Sequence, residues 1–432
     1  MKIIYVFLSL FFLSLSLSAN DNETRVDRET SFRKSIDTFG KVDQKVVSGV
    51  KKSKQMLRNG EVTGQFRSIY AGYNQKKAGE IDTYATAIGG MLKYELASFN
   101  GFHAAAALSA SQDIGFATGD TLTSKQNDEL SSAKGSYIAL SEAYVNYANG
   151  GLNIRLGRQM IDTPLADTDD SRMIPNTFEA YMLTYEFNKI LFTLGNVQRW
   201  QGSGAGLGYI DSVKQNTNWL DTKGSGTSMI GISYEEVLKF NSWYYHIQKP
   251  QNASKASYLE FGYHKKGAIA LHTSIQYLHE SEMKNSGIKA DIYGGVVELV
   301  IYDLNLNVAY NKSKKHSGKR SFSGIGGGSL YTSMDTMLLD EIANDRDADA
   351  LVFGLEYTLD NGKLIYAYGD FNGDANSIGE SVHIVEHNLG VEYNINSSFA
   401  LAAIYVREED KQSATKTTND WDRAQVMLTY NF

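Results

Sequence analysis

The feature that most constrains this chain is a two-residue hydrophobic period that begins near Glu61 and recurs to Phe432. In the first such segment Val62, Gly64, Phe66, Ser68 and Tyr70 share one side, and Thr63, Gln65 and Arg67 share the other. In the last, Ala424, Val426, Leu428, Tyr430 and Phe432 alternate with Arg423, Gln425, Thr429 and Asn431. Successive side chains of a strand point to opposite faces. Each segment therefore has one face for an apolar medium and one for water, as in a transmembrane β-barrel. Strands are expected near 61–75, 80–95, 100–110, 136–148, 151–159, 178–187, 190–200, 226–236, 239–248, 256–264, 268–280, 288–300, 303–311, 349–358, 362–370, 383–394, 398–408 and 421–432. That makes eighteen, an even number that returns both ends of the wall to one side.

The connections carry independent information. Asn149-Gly150, Asn188-Lys189, Lys265–Gly267, Asp360–Gly362 and Asn396-Ser397 have the chemistry of tight turns. They alternate with long connections at 111–135, 160–177, 201–225, 312–348 and 371–382. Short turns at one rim and long loops at the other fit an all-β, antiparallel outer-membrane barrel better than two packed soluble sheets. No stretch beyond the first 19 residues has the 18 consecutive apolar residues of a membrane helix.

Met1–Ala19 reads as a secretory signal peptide, with Lys2 ahead of an apolar run and a Ser-Leu-Ser-Ala end. Its removal takes the formal charge from −7 to −8, because it carries one lysine and no acid. Residues 20–60 are polar. Phe32, Ile36, Phe39, Val42, Val46 and Val50 give them a helical stripe, which suggests a periplasmic or plug-like segment ahead of a barrel at 61–432. The chain lacks cysteine, which excludes a disulfide framework and a thiolate metal site. It also lacks the basic patch of a nucleic-acid binder. There is no G-x-S-x-G or H-E-x-x-H motif, and His264, His272 and His279 form no compact ligand motif. No enzyme activity, cofactor or metal is expected.

Alternation assigns the wall residues. Leu152, Ile154 and Leu156 face outward, which sends Asn153, Arg155, Gly157 and Gln159 inward. Arg67 and Arg423 are inward on the first and last strands, which become neighbours on closure. Arg158 cannot share the face of Arg155 in a regular strand and is expected at a bend or loop base; Arg199 is a further basic candidate. Glu142, Glu386 and Glu392 fall on polar faces. Opposed basic and acidic walls would orient dipolar solutes, and arginines would guide carboxylates. The plainer reading is that these charges pair with one another in a water-filled bore.

The connection at 160–177 is far longer than a hairpin needs. Asp162, Asp167, Asp169 and Asp170 are expected to place negative potential at a constriction, with Arg172 as counter-charge and Pro164 and Pro175 restraining the ends. A calcium site is the competing reading of the acid cluster, but the EF-hand order of ligands is missing.

The run GRQMIDTPLADTDDSRMIPNTFEAY, following EAYVNYANGGLNIRL, resembles the OprD-type outer-membrane porins, and most of all those of Campylobacter-related bacteria. The resemblance extends over about Glu61 to Phe432. It implies a monomeric eighteen-stranded barrel in the bacterial outer membrane, with a trimer as the alternative. Its third extracellular loop, Ile161–Thr177, would fold inward beside a basic wall of Arg155 and Arg158, with Arg67, Arg199 and Arg423 as further members. The implied function is passive diffusion of small hydrophilic solutes and ions, among them carboxylate-bearing nutrients such as amino acids. The implied partners are outer-membrane lipid, lipopolysaccharide and, through an aromatic such as Phe432, the barrel-assembly machinery. The net acidic chain keeps a general, weakly cation-selective porin open as an alternative. A structural or adhesive barrel is the other.

Overall fold

The computed structural model describes residues 60–77, 79–114, 130, 136–202, 219–222, 224–248, 253–322, 324–325, 328–412 and 419–432. The signal peptide and almost all of the polar segment read from the sequence lie outside them.

Eighteen long strands form the wall: β1 (Glu61–Gln75), β2 (Thr83–Glu95), β3 (Phe102–Asp113), β4 (Ser136–Asn149), β5 (Leu152–Gln159), β6 (Thr177–Phe187), β7 (Ile190–Gln201), β8 (Thr227–Glu235), β9 (Leu238–Ile247), β10 (Ser254–Lys265), β11 (Ile269–Glu282), β12 (Ala290–Ile301), β13 (Leu304–Ser313), β14 (Ala348–Leu359), β15 (Gly362–Gly373), β16 (Val382–Asn394), β17 (Phe399–Asp410) and β18 (Trp421–Asn431). Each pairs antiparallel with the next. β1 pairs with β18 from Gln65 opposite Asn431 to Gln75 opposite Trp421, which closes the barrel. All eighteen expected strands are present, with ends shifted by three residues at most. Closure satisfies every edge, the condition for a sheet in a membrane.

The alternation has the predicted sense. Outward Phe66, Leu92, Ile138, Leu156, Ile275 and Leu389 are exposed although large and apolar, and between them Arg67, Glu142, Gln159, Gln276 and Asn388 are buried inside. Aromatic pairs gather at the short-turn rim, where Phe102 meets Tyr147 at 4.6 Å and Phe399 meets Tyr430 at 4.7 Å. Such belts sit well at the lipid headgroups. Phe432 joins this belt against Phe66, and its backbone exchanges two hydrogen bonds with Gly64.

Gly90 marks a place where the wall tolerates no side chain. Its φ is +133°, and a Cβ there would lie 1.9 Å from the Gln65 carbonyl oxygen. Gly90→Ala is expected to strain the β1–β2 ladder by roughly 1–3 kcal/mol. Denaturant titration of the detergent-folded barrel should show the loss; an unchanged midpoint would contradict it.

Candidate pore constriction

A wall of this size encloses an aqueous bore unless something fills it. Among the described residues two long loops do so. The first runs from β5 to β6 and contains a two-residue hairpin, Asp162–Thr163 against Ala166–Asp167. Leu165, Met173 and Ile174 are buried, and the Leu165 amide donates to the Tyr245 hydroxyl on the inner face of β9. The inward fold expected of this loop is therefore present.

The second loop, 314–347, was expected only as a long connection. It too turns inward, carrying a short helix, Leu339–Ile342. Phe322, Ile325, Leu330, Tyr331, Met334 and Met337 are all buried. Each such side chain removed from water contributes about 1.5–3 kcal/mol, which offsets the ordering of the segment. Carboxylates of the inner wall hold its backbone and hydroxyls. Glu280 accepts from the Phe322 amide and the Ser321 hydroxyl, both at 2.9 Å. Glu386 accepts from Thr336 at 2.5 Å and Glu260 from the Tyr331 hydroxyl at 2.6 Å. Burial first, then the neighbouring Tyr258 and Glu260, raises the Tyr331 pKa, so this hydroxyl stays a donor. The two loops also bond to each other, Asp167 N to Ile325 O at 3.0 Å and Ile325 N to Leu165 O at 2.9 Å.

Two arginines fasten these loops. Arg67 grips both carboxylate oxygens of Asp170 at 2.6 and 2.7 Å and also donates to the Arg172 carbonyl and to Gln65. Arg423 bonds Asp335 of the second loop at 2.9 Å and Gln425 at 2.5 Å. Gln425 in turn donates to the Ser171 carbonyl and accepts from Arg172. Both guanidinium-bearing side chains have no solvent exposure. A buried charge requires its partner and its hydrogen bonds, and the planar five-donor guanidinium meets that need.

The remaining sequence candidates separate. Asp162 is exposed, Asp167 lies in the small hairpin and Asp169 follows it with φ +34°. Arg155 shares the inner face with buried Asn146 and Tyr144, its Nε donating to Asn146 and its guanidinium over the Tyr144 ring. Near it Lys93 pairs with Glu142 at 3.1 Å. Arg158 and Arg199 require correction. β5 keeps its pairing register through Gly157 (φ +122°) and Arg158, so Arg158 lies on the face of outward Leu156, opposite Glu179. Arg199 lies opposite Glu179 as well, and Glu179 shares the face of exposed Tyr181. The triad is joined at 3.5 Å (Arg158) and 2.6 Å (Arg199) on the outer side of the wall. These two arginines are outside the bore.

Across the bore, β10 to β16 turn Glu260, Glu280, Glu298, Glu356, Glu386 and Glu392 inward. Lys239 bridges to Glu260, and Lys363 to Glu356 and Glu392. Of this acidic wall, Glu386 and Glu392 were legible in the sequence. Asp335 carries no local signal of its role, though the buried apolar series of its loop is visible in the sequence. Among the described residues, no three His, Cys, Asp or Glu side chains are arranged to hold a metal ion.

The family model for outer membrane porins of the OprD family matches residues 101–432. The chain belongs to the OprD porin family. The matched span begins after β1 and β2, whereas the resemblance noted in the sequence began at Glu61. Solved structures share the fold over a larger share of the chain. OpdK of Pseudomonas aeruginosa, determined with vanillate, superposes with a TM-score of 0.69 at 14% identity, covering 86% of this chain and 98% of its own. A BenF-like porin from Pseudomonas fluorescens gives 0.72 at 12%, covering 88% and 100%. OccAB4 of Acinetobacter baumannii gives 0.70 at 14%, covering 86% and 98%. No curated protein sequence matches the chain. These relatives lend no support to a particular closeness to Campylobacter-related homologues. As an OprD-family porin, the protein is a bacterial outer-membrane channel protein in contact with lipid and with the solutes it passes.

Proposed function

We propose that this porin is a passive, non-catalytic conduit for small hydrophilic solutes and inorganic ions, with a weak preference for cations. The observation that carries the preference is the state of Arg67 and Arg423. Both guanidinium groups are buried and engaged by loop carboxylates, so neither offers donors to a passing carboxylate. The opposite wall turns four carboxylates inward, Glu260, Glu298, Glu356 and Glu392, against two lysines, Lys239 and Lys363, which leaves an excess of two negative charges, and Asp162 is exposed on the loop. Negative groups lining a narrow bore raise the local concentration of cations. In this reading Asp170 and Arg172 hold the constriction while Asp162, Asp167 and Asp169 set its potential. The barrel works as a monomer, since each has its own bore.

One observation favours a second reading, passage of carboxylate-bearing nutrients. Arg155 faces the bore and has no carboxylate partner among the described residues. In planar bilayers the purified protein should give discrete current steps. A silent membrane would favour a structural or adhesive barrel. Arg155→Gln should leave the conductance in potassium chloride within about twofold, the effect of one unpaired wall charge in water. A large selective loss of carboxylate permeation would instead support the second reading.

A further inference from the structure

We propose that His264 and His272 form a binding site for a divalent transition-metal ion on the inner wall of the barrel. The two residues are eight apart in sequence, with no ligand motif between them, but the β10–β11 hairpin places them directly opposite one another. His264 shares the face of buried Glu260 and His272 that of buried Gln276, so both rings point into the bore. Their centroids are 4.7 Å apart. Directly opposed strand residues hold their Cβ atoms about 5 Å apart, so rotation about side-chain bonds alone brings one nitrogen of each ring to a common ion.

The surroundings orient one ligand in advance. The Nδ1 of His272 lies 3.3 Å from a carboxylate oxygen of Glu298, and the other oxygen of Glu298 accepts from Asn305. Glu298 is itself 3% exposed. A neutral imidazole that donates from Nδ1 to a fixed carboxylate presents the lone pair of Nε2, the arrangement that recurs behind metal-binding histidines. Glu260 lies on the same wall, bridged by Lys239. Imidazole favours copper, nickel and zinc, whereas magnesium and calcium favour oxygen ligands. With two protein ligands, water completes the coordination and the ion exchanges readily, as suits a wall that solutes pass.

The other histidine pair, His279 and His316, differs. Both direct a nitrogen at Asp291 at 2.8 Å, on the face of exposed Tyr277. It serves as the control.

Titration of the detergent-folded protein with Cu2+, followed by calorimetry and electron paramagnetic resonance, tests the site without reference to conduction. The expected spectrum shows coupling to two imidazole nitrogens. Glu298→Gln should weaken binding by about 10–100-fold, the usual cost of losing such an orienting partner. His264→Gln and His272→Gln should each weaken it at least as much, with unchanged thermal melts. The double variant His279→Gln, His316→Gln should bind as the wild type does. Binding that survives both His264→Gln and His272→Gln, or that disappears in the control, overturns the proposal. Should a variant fold poorly, the wild-type spectrum still decides: coupling to no nitrogen or only one contradicts the pair.

Discussion

Excision of residues 322–342, joining Ser321 to Ala343, is expected to raise single-channel conductance several-fold. The junction is already prepared, because the Ser321 amide bonds the Ala343 carbonyl at 3.3 Å. The excised piece carries the buried Leu330, Tyr331, Met334, Met337 and Leu339 that occupy the bore. Glu386 and Arg423 would lose Thr336 and Asp335. Water entering the widened bore would solvate both, so the wall itself should survive. Excision of Asp162–Arg172 should produce a smaller increase, because that loop is shorter and the second loop remains. Both conductances are measured in planar bilayers at one salt concentration. An unchanged value for the first variant would place the 314–347 loop outside the conduction path.

Arg67→Met is expected to unfasten the first loop while leaving the barrel folded. Breaking a buried ion pair by removing one partner costs about 3–5 kcal/mol, chiefly through the charge left behind. Here that charge is Asp170, and the loss falls on the loop, which Arg67 ties to β1 through Asp170 and the Arg172 carbonyl. The open channel should become noisier and its mean conductance should rise. Arg67→Lys should behave in between, since one ammonium cannot match the planar fork that serves Asp170, Arg172 and Gln65 together. Removing both charges, Arg67→Met with Asp170→Leu, should recover much of the quiet state, because an apolar replacement of a whole buried pair is often close to neutral. Were Arg67 a guide for carboxylates, Arg67→Met would lower anion permeation and leave the noise unaltered.

The wall was legible because alternation is a local property. A residue at position 66 or 428 reports its face through its immediate neighbours, and the lipid imposes the same rule on every strand. Closure puts Arg67 and Arg423 on adjoining strands, as their places on the first and last strands imply. The contents of the bore were legible only in part. The acidic, proline-bounded run at 160–177 stood out against the short turns. The 314–347 loop stands out by its length, and Leu330, Met334, Met337 and Leu339 are an apolar series that a loop in water has no reason to carry.

Partners distant in sequence were the rest of what escaped. Asp170 meets Arg67 across 103 positions and Asp335 meets Arg423 across 88, and no local pattern announces either pair. Inward parity alone therefore suggests a lining for Arg67 and Arg423 and gives no sign of the loop carboxylates they bond. Arg158 shows the reverse error. Strict alternation put it outward, and the expectation of a bend or loop base moved it inward against that rule. His264 and His272 are a third case, since only the hairpin register makes neighbours of them.

The central claim is that the arginines are spent on holding the constriction, which leaves the acidic wall to set selectivity. The most direct test is the reversal potential of the wild-type channel in a potassium chloride gradient, repeated with small carboxylates present. A potential displaced toward that of potassium, with no block by carboxylates, is the predicted result. A potential displaced toward that of chloride, with carboxylates blocking the current, would contradict it.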